Sequence, residues 1–444
     1  MDAQHNAPVQ SLARYGLPFV VLVFYVTASL SFEYTPDSTF LNLQYVRGDL
    51  GSSFGSAGTP APLWLGLVKA GSFSGLDMLL VAKVFSLVFG CTVVIASFLL
   101  GAEVTANRLL GLMAALATAM TVWLVREAPS GGAMPLVMAL TLMTLFFLQR
   151  NEYLLAAVLA GLCLLLFWQA AGLAALVIAD VMLNSIHKRR AMKLAASLAL
   201  IIAGILLPWF LVAGYLGLDP LPLLPVDRAG TVTMDVFAVL AVAALLCLAT
   251  AGFLKPGREG GTVATELVLN VTPVLWTVSM SLVGVLMSLE FLLIVLPVAT
   301  IYAFRAVNIF FHSSVGEKGV YQLSVILGAI IILFNQASFA FSTRQEMDRT
   351  IDAVKPLMEI GAWLSLHAAN DAVIVSDRRG TVGYYVQRPV HSPEEIRLAD
   401  VDYLVARAAT RDDFIRTYTP EHVGGMTDVQ ENQPYAVWKR GSSR

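Results

Sequence analysis

Apolar runs of membrane-spanning length recur along most of the chain, and they limit its possible folds more than any other feature. A helix needs about 20 mostly apolar residues to cross a bilayer. Only 14% of the residues are charged, against about 25% in a typical soluble protein. We therefore predict a polytopic α-helical membrane protein with about eleven spans: 16–32, 79–101, 109–125, 134–149, 153–168, 170–186, 192–213, 235–254, 267–287, 291–307 and 319–340. Residues 153–186 also fit one long broken helix.

The basic residues indicate how these spans are oriented. With the N-terminus in the cytoplasm, eleven Lys and Arg residues fall in the cytoplasmic connections and five fall on the outer side. Cytoplasmic loops of membrane proteins carry such an excess, and the cluster at 187–190 (HKRR) is the strongest anchor. The pattern predicts an N-in, C-out protein. We expect it in a bacterial inner (plasma) membrane, with its C-terminal part periplasmic or otherwise extracytoplasmic.

The composition changes after Phe341, where 13 of the 29 Lys and Arg residues follow. Short apolar strand patterns at 372–376, 401–406 and 435–439 alternate with helical patterns at 347–368 and 411–418. Such alternation is typical of a small α/β unit. We predict two domains: a transmembrane domain at 1–341 and a soluble extracytoplasmic α/β domain at 342–444.

The first outer loop, 33–78, is the longest loop of the predicted transmembrane domain. Phe40, Leu43 and Val46 stand at helical spacing, which predicts a helix lying in the membrane interface with its apolar side toward lipid headgroups. Asp37 is followed by Ser and Thr, which is a good helix start. The sequence thus predicts a short capped helix at the mouth of the first span.

Several function classes find little support in the composition. The net charge of −2 argues against nucleic acid as a partner. The cysteines lie singly in apolar runs, so they indicate neither a disulfide framework nor a metal site: Cys91, Cys163 and Cys247. A transporter usually shows paired broken helices in two matching halves, and no such symmetry is visible in the sequence. A transporter is therefore the less favoured alternative.

Two stretches carry a resemblance to a known family. The first is PDSTFLNLQYVRGDLGSSFGSAGTPAPLWLGLVKAG, which is followed by GLDMLLVAKVFSLVFG. It resembles the first outer loop and second helix of the type-C glycosyltransferases (GT-C fold), membrane enzymes that use polyprenyl-phosphate sugars. The second, WLSLHAANDAVIVSDRRGTVGYYVQRPV, looks like the soluble C-terminal domain of many such proteins. The resemblance implies a GT-C-like fold and an inverting transfer of sugar to an extracytoplasmic acceptor.

The resemblance also implies roles for individual residues. Asp37 stands where the family places the first acid of its loop, and so is the implied general base. Arg126 is the implied ligand of the lipid phosphate, with Lys83, Arg228 and Arg47 as further candidates. The auxiliary acids are Glu33, Glu127 and Glu290. No cofactor is required beyond the polyprenyl-phosphate sugar, which is the donor substrate, and a divalent metal is possible but not supported, because a single acid is a poor cation site.

The sequence departs from the family pattern at several polar positions. Ala133 stands where SGGAMPL would carry an acid, and Gln169 and Ala171 replace a charged pair in WQAAG. These departures keep a second interpretation open, a divergent or catalytically degenerate GT-C-like membrane subunit that serves as a structural or docking component of a larger complex. Its partners would be other membrane proteins, whereas the enzyme's partners are membrane lipid and the lipid-linked donor.

Plainer interpretations of the same charged residues also remain open. Lys83 and Arg47 can extend their charges to the headgroup region from apolar surroundings. Arg126 and Glu127 can form a local surface pair of little energetic value. Glu290 can be a turn residue, and Asp37 can cap a helix as well as act as a base. The structure has to show which of these side chains come together.

Overall fold

The structure is a computed structural model. It describes residues 61–167, 170–184, 188–216, 290–391, 401–407, 426–432 and 435–440, together with these positions nearer the N-terminus: Gly16, Val21, Val23, Tyr25, Val26, Thr39, Phe40, Leu43 and Gln44. The predicted spans at 235–254 and 267–287 and the predicted helix at 411–418 lie outside these residues. The count of about eleven spans therefore stays a prediction.

The apolar runs within this part of the chain form α-helices joined by short turns. In chain order they are α1 (Pro62–Ser72), α2 (Met78–Thr105), α3 (Arg108–Ala119), α4 (Val122–Glu127), α5 (Met134–Gln149), α6 (Tyr153–Leu164), α7 (Ala171–Asn184), α8 (Lys188–Leu216) and α9 (Glu290–His367). Among the described residues, two helical stretches are long and apolar enough to cross a bilayer by length and composition, Met78–Thr105 and Arg189–Ala213. Shorter apolar helices of 10–17 residues accompany them.

Polar residues between the runs determine where α2 and α3 begin. The Asp77 carboxylate accepts hydrogen bonds from the first backbone N–H groups of α2, and Asn107 does the same for α3. Such caps satisfy donors that the helix itself leaves unpaired. Between the two helices the chain turns tightly, and a Cβ atom at Gly111 would lie 2.5 Å from the backbone nitrogen of Ala102. The two helices therefore approach each other backbone to backbone.

A single large apolar core lies where α2, α3, α5 and α9 pack together. Two hydrogen bonds attach α9 to the turn between α2 and α3. Asn107 Nδ2 donates to the Tyr321 hydroxyl at 3.0 Å, and Asn308 Nδ2 donates to the Thr105 carbonyl oxygen at 3.1 Å. The early helices and the late helix thus form one body despite about 200 intervening residues.

The helix α9 continues past residue 341, where the sequence predicts a domain boundary. Its helical dihedral angles are interrupted at Gly316, which has a φ of +67°. The last turns of α9 leave the first core and supply Leu357, Ile360 and Leu364 to a second apolar cluster. One helix therefore connects the two cores.

The second cluster is built on a four-stranded sheet. The elements after α9 are β1 (Ile374–Ser376), α10 (Arg379–Val386), β2 (Tyr403–Arg407), β3 (Met426–Asn432) and β4 (Tyr435–Arg440). The strand order is β1-β2-β4-β3, with β1 parallel to β2 and the other pairs antiparallel. The strand patterns at 372–376, 401–406 and 435–439 overlap β1, β2 and β4.

The short helical segment around Phe40 corrects one prediction. Thr39, Phe40, Leu43 and Gln44 are helical, as the spacing indicates. However, Phe40 and Leu43 are each only 1% exposed and belong to the protein core. The prediction that this apolar side faces lipid headgroups is wrong for these residues, because it packs against other parts of the same chain.

Candidate functional site

A compact loop follows α4 and folds back on itself. The Ser130 hydroxyl donates to the Glu127 carbonyl oxygen at 2.8 Å, and lies 3.4 Å from the Glu127 Oε2 atom. The backbone N–H of Gly132 donates to the same hydroxyl at 3.1 Å. Gly131 takes a φ of +78°, a conformation that favours glycine. These bonds bring the Glu127 carboxylate to the side of the loop that holds Gly132.

Lys83 and Thr39 both lie against Gly131 of this loop. A Cβ atom at Gly131 would stand 3.2 Å from Thr39 Cγ2 and 3.4 Å from Lys83 Cγ. The loop is also attached to α2 one turn beyond the lysine, where the Ser86 hydroxyl donates to the Glu127 carbonyl oxygen at 3.0 Å. The first outer loop, α2 and the loop after α4 thus meet at one place.

The Thr39 hydroxyl is the least satisfied polar group at this meeting point. The side chain is 1% exposed, and Oγ1 has no hydrogen-bond partner among the described residues. It lies 3.8 Å from the Cβ position of Gly132, at the same distance as Glu127 Oε2. A buried hydroxyl without a partner costs about 1–3 kcal/mol. Thr39 is thus a buried hydrogen-bonding group close to a lysine and a carboxylate.

The structure brings together two of the residues that the sequence singled out, Lys83 and Glu127. Asp37, Glu33, Arg47 and Arg228 lie outside the described residues, as do the side chains of Arg126 and Glu290. The backbone of Arg126 belongs to α4, and that of Glu290 begins α9. The roles implied for these residues stay predictions.

Two functional candidates were missed in the sequence, Thr39 and Ser130. Hydroxyl residues are common in loops, and nothing in their spacing marks these two. Thr39 follows Asp37 by two positions and Ser130 precedes the two glycines, which is the only local signal that either one gives. Their burial and their neighbours depend on contacts between distant parts of the chain.

The residues that meet at this site are a lysine, a carboxylate, a buried hydroxyl and a glycine loop. An ammonium and nearby hydroxyls can hold a phosphate through charge-assisted hydrogen bonds. Within the described residues, no group of three or more His, Cys, Asp or Glu side chains is placed to hold a metal ion. Glu127 supplies a carboxylate close to position 133, where the resemblance implies an acid and this chain has Ala133. The Glu127 carboxylate approaches Gly132, the residue before that alanine.

No family model and no curated protein matches the chain in sequence. Solved structures share its fold at low identity. ArnT from Cupriavidus metallidurans in the apo state is 12% identical, with a TM-score of 0.56 over 94% of this chain and 96% of ArnT. The same protein bound to undecaprenyl phosphate is 12% identical, with a TM-score of 0.58 over 100% of this chain and 99% of that one.

A third solved structure is the arabinofuranosyltransferase AftD from Mycobacteria. It is 13% identical, with a TM-score of 0.51 over 96% of this chain but 41% of AftD. All three likenesses extend over nearly the whole chain, so they include both the helical part and the sheet. The chain therefore has the helical membrane fold of the type-C glycosyltransferases, as its sequence resemblance predicted.

Proposed function

We propose that this protein is an inverting glycosyltransferase that moves a sugar from a polyprenyl-phosphate donor to an extracytoplasmic acceptor. The observation that carries the proposal is the meeting of Lys83, Glu127 and Thr39 around Gly131 and Gly132. The likeness to ArnT, which has been solved with undecaprenyl phosphate, supports a lipid phosphate as the ligand. The fold supports an integral membrane location, and the C-terminal domain, 342–444, is by this proposal periplasmic or otherwise extracytoplasmic.

In the proposed reaction the acceptor hydroxyl attacks the anomeric carbon of the donor sugar. The new bond forms as the bond between that carbon and the phosphate oxygen breaks, and the lipid phosphate leaves with the electron pair. Asp37 takes the proton of the acceptor hydroxyl as general base. Lys83 neutralises the charge that develops on the leaving phosphate.

The covalent chain supports the assignment of Asp37. Two residues span at most about 7 Å of chain, and Thr39 lies against the glycine loop beside Lys83. This closeness of Asp37 to Thr39 along the chain supports the proposal that Asp37 is the base. Arg126, Arg47 and Arg228 are further candidates for the phosphate. The additional acids are Glu33, Glu127 and Glu290, of which Glu127 has its carboxylate beside the loop.

The proposal is tested by separating phosphate binding from transfer. The full-length protein in lipid nanodiscs is titrated with undecaprenyl phosphate, and transfer from a labelled polyprenyl-phosphate sugar is measured in membranes. We expect Lys83→Gln to weaken undecaprenyl phosphate binding by about 10- to 100-fold. Lys69→Gln is the control, because Lys69 is an exposed lysine in the last turn of α1, and it leaves binding unchanged.

Asp37→Asn should separate the two steps in the opposite way. It leaves undecaprenyl phosphate binding intact and lowers transfer by about 10²- to 10⁴-fold, the usual contribution of a general base. Full transfer by Asp37→Asn removes this mechanism. Equal binding by the Lys83→Gln variant and the wild type removes the phosphate role of Lys83.

The second candidate function is a non-catalytic membrane subunit with the same fold. Alanines at positions 133 and 171, where the resemblance implies polar or charged residues, favour it, and both are helix-end residues in the structure. A chain that binds no undecaprenyl phosphate but purifies with a stable membrane partner supports the subunit and contradicts the enzyme. A transporter is the third and weaker alternative.

A further inference from the structure

The helix α10 of the C-terminal part contacts the segment that carries Thr39. Gln44 Nε2 donates a hydrogen bond to the Gly380 carbonyl oxygen at 2.6 Å, across 336 positions of the chain. The Phe40 ring lies 5.2 Å from the Tyr384 ring and 5.8 Å from the Tyr385 ring, centroid to centroid. One polar and two aromatic contacts therefore hold this segment against α10.

The same helix also reaches the start of α2. The Tyr384 hydroxyl donates to Asp77 Oδ1 at 3.4 Å. The other oxygen of this carboxylate, Oδ2, caps α2 by accepting from the N–H groups of Leu79 and Leu80. Lys83 follows Asp77 by six residues on α2, a rise of about 9 Å. The helix α10 thus contacts both the segment of Thr39 and the helix of Lys83.

Close contacts at two glycines hold α10 against its neighbours. A Cβ atom at Gly361 of α9 would lie 2.6 Å from Tyr385 Cβ. A Cβ atom at Gly383 of α10 would lie 2.6 Å from Gln44 Nε2. Interiors packed this closely transmit displacements instead of absorbing them. The hydrogen bond and the two ring contacts therefore couple α10 to the segment of Gln44.

We propose that α10 is a positioning element of the transfer site, because it fixes the segment of Thr39 relative to Lys83. This inference rests on the proposed function. A displacement of about 1 Å at reacting groups can lower a rate by about 10²-fold. Lys83 itself stands on α2 and packs against Gly131, whereas α10 contacts Gln44. Loosening α10 should consequently impair transfer more than phosphate binding.

The Gln44 contact can be broken from either side. Gly383→Ala places a methyl group against the side-chain amide of Gln44. The Gln44 side chain is flexible and can turn away, but it then loses its hydrogen bond to Gly380. Gln44→Ala removes the same bond directly. Gly66→Ala is the control, because this helical glycine has no atom within 4 Å of the new methyl group. Tyr384→Phe is a milder variant that removes only the hydroxyl bonded to Asp77.

Two measurements on the full-length protein in nanodiscs test the proposal. Hydrogen–deuterium exchange reports the mobility of peptides containing residues 39–44, with and without undecaprenyl phosphate. Steady-state transfer gives kcat and the donor KM separately. We expect Gly383→Ala and Gln44→Ala each to speed exchange in this segment and to lower kcat by roughly three- to tenfold, with a smaller change in the donor KM. The double variant should lose no more than either single variant, because both break one contact.

Retained undecaprenyl phosphate binding shows that each variant is folded. The inference is overturned if exchange at 39–44 is unchanged in both variants, if kcat is unchanged despite faster exchange, or if the two losses add. The exchange measurement does not depend on turnover. A wild-type protein that transfers no sugar contradicts the proposed function. In that case the positioning role is judged by hydrogen–deuterium exchange alone. It holds if undecaprenyl phosphate slows exchange at 39–44 in the wild type and not in the variants. It fails if undecaprenyl phosphate does not slow exchange there in the wild type.

Discussion

Lys83 packs against Gly131, so that the lysine Cγ atom is 3.4 Å from the point where a Cβ at the glycine would stand. This contact joins the second turn of α2 to the loop after α4. An ionisable group that is held in this way inside an apolar helix is a candidate for function and not only for structure.

Gly131→Ala should lower undecaprenyl phosphate binding by roughly tenfold, equivalent to about 1.4 kcal/mol. The new methyl group would press on Lys83 Cγ and Thr39 Cγ2. Gly75→Ala is the control, because Gly75 has nearly the same φ, +80°, but nothing within 4 Å of a Cβ. Both variants bear a backbone strain of about 1–2 kcal/mol, which thermal unfolding measures. Equal loss of binding in the two variants would mean that strain, and not the contact with Lys83, is responsible.

Gly111→Ala should destabilise the helical core by about 1–3 kcal/mol, which is typical of overpacking. Its methyl group would stand 2.5 Å from a backbone nitrogen and 2.8 Å from a backbone Cα atom of Ala102, neither of which can turn aside. The measurement is thermal unfolding in detergent. Gly204→Ala is the control, since this exposed helical glycine has open space around it, and it should gain about 0.5–1 kcal/mol. A neutral Gly111→Ala would contradict the close packing of α2 on α3.

The helices and most strands follow from local patterns in the sequence. The apolar run at 134–149 forms the helix α5, and the apolar strand at 401–406 overlaps β2, because burial of a run of apolar side chains decides both. The sequence does not predict the strand β3, because β3 lacks such a run of apolar side chains. Its sequence, MTDVQEN, has few apolar residues and lies at the edge of the sheet, where pairing with β4 on one side is sufficient.

The candidate site follows from the sequence only in part. Lys83 was identifiable because an ammonium inside an apolar run is costly unless it serves a purpose. The burial of Phe40 could not be foreseen, because a helix with one apolar side suits a membrane surface and a protein surface equally well. Its actual partners, Tyr384 and Tyr385, lie more than 340 positions away. Contacts of that range have no signature in local spacing.

Thr39→Val should separate stability from function. Valine has nearly the shape of threonine without the hydroxyl, and the Thr39 hydroxyl has no partner among the described residues. Its removal should therefore leave the unfolding temperature unchanged or raise it, while undecaprenyl phosphate binding or transfer falls.

Thr118→Val is the control, because that buried hydroxyl donates to the Ala114 carbonyl oxygen at 2.9 Å. It should lose about 1 kcal/mol of stability and keep both activities. If Thr39→Val instead loses stability and keeps full binding and transfer, the hydroxyl is a structural group, and the convergence of Thr39 and Lys83 on the glycine loop no longer argues for a ligand there.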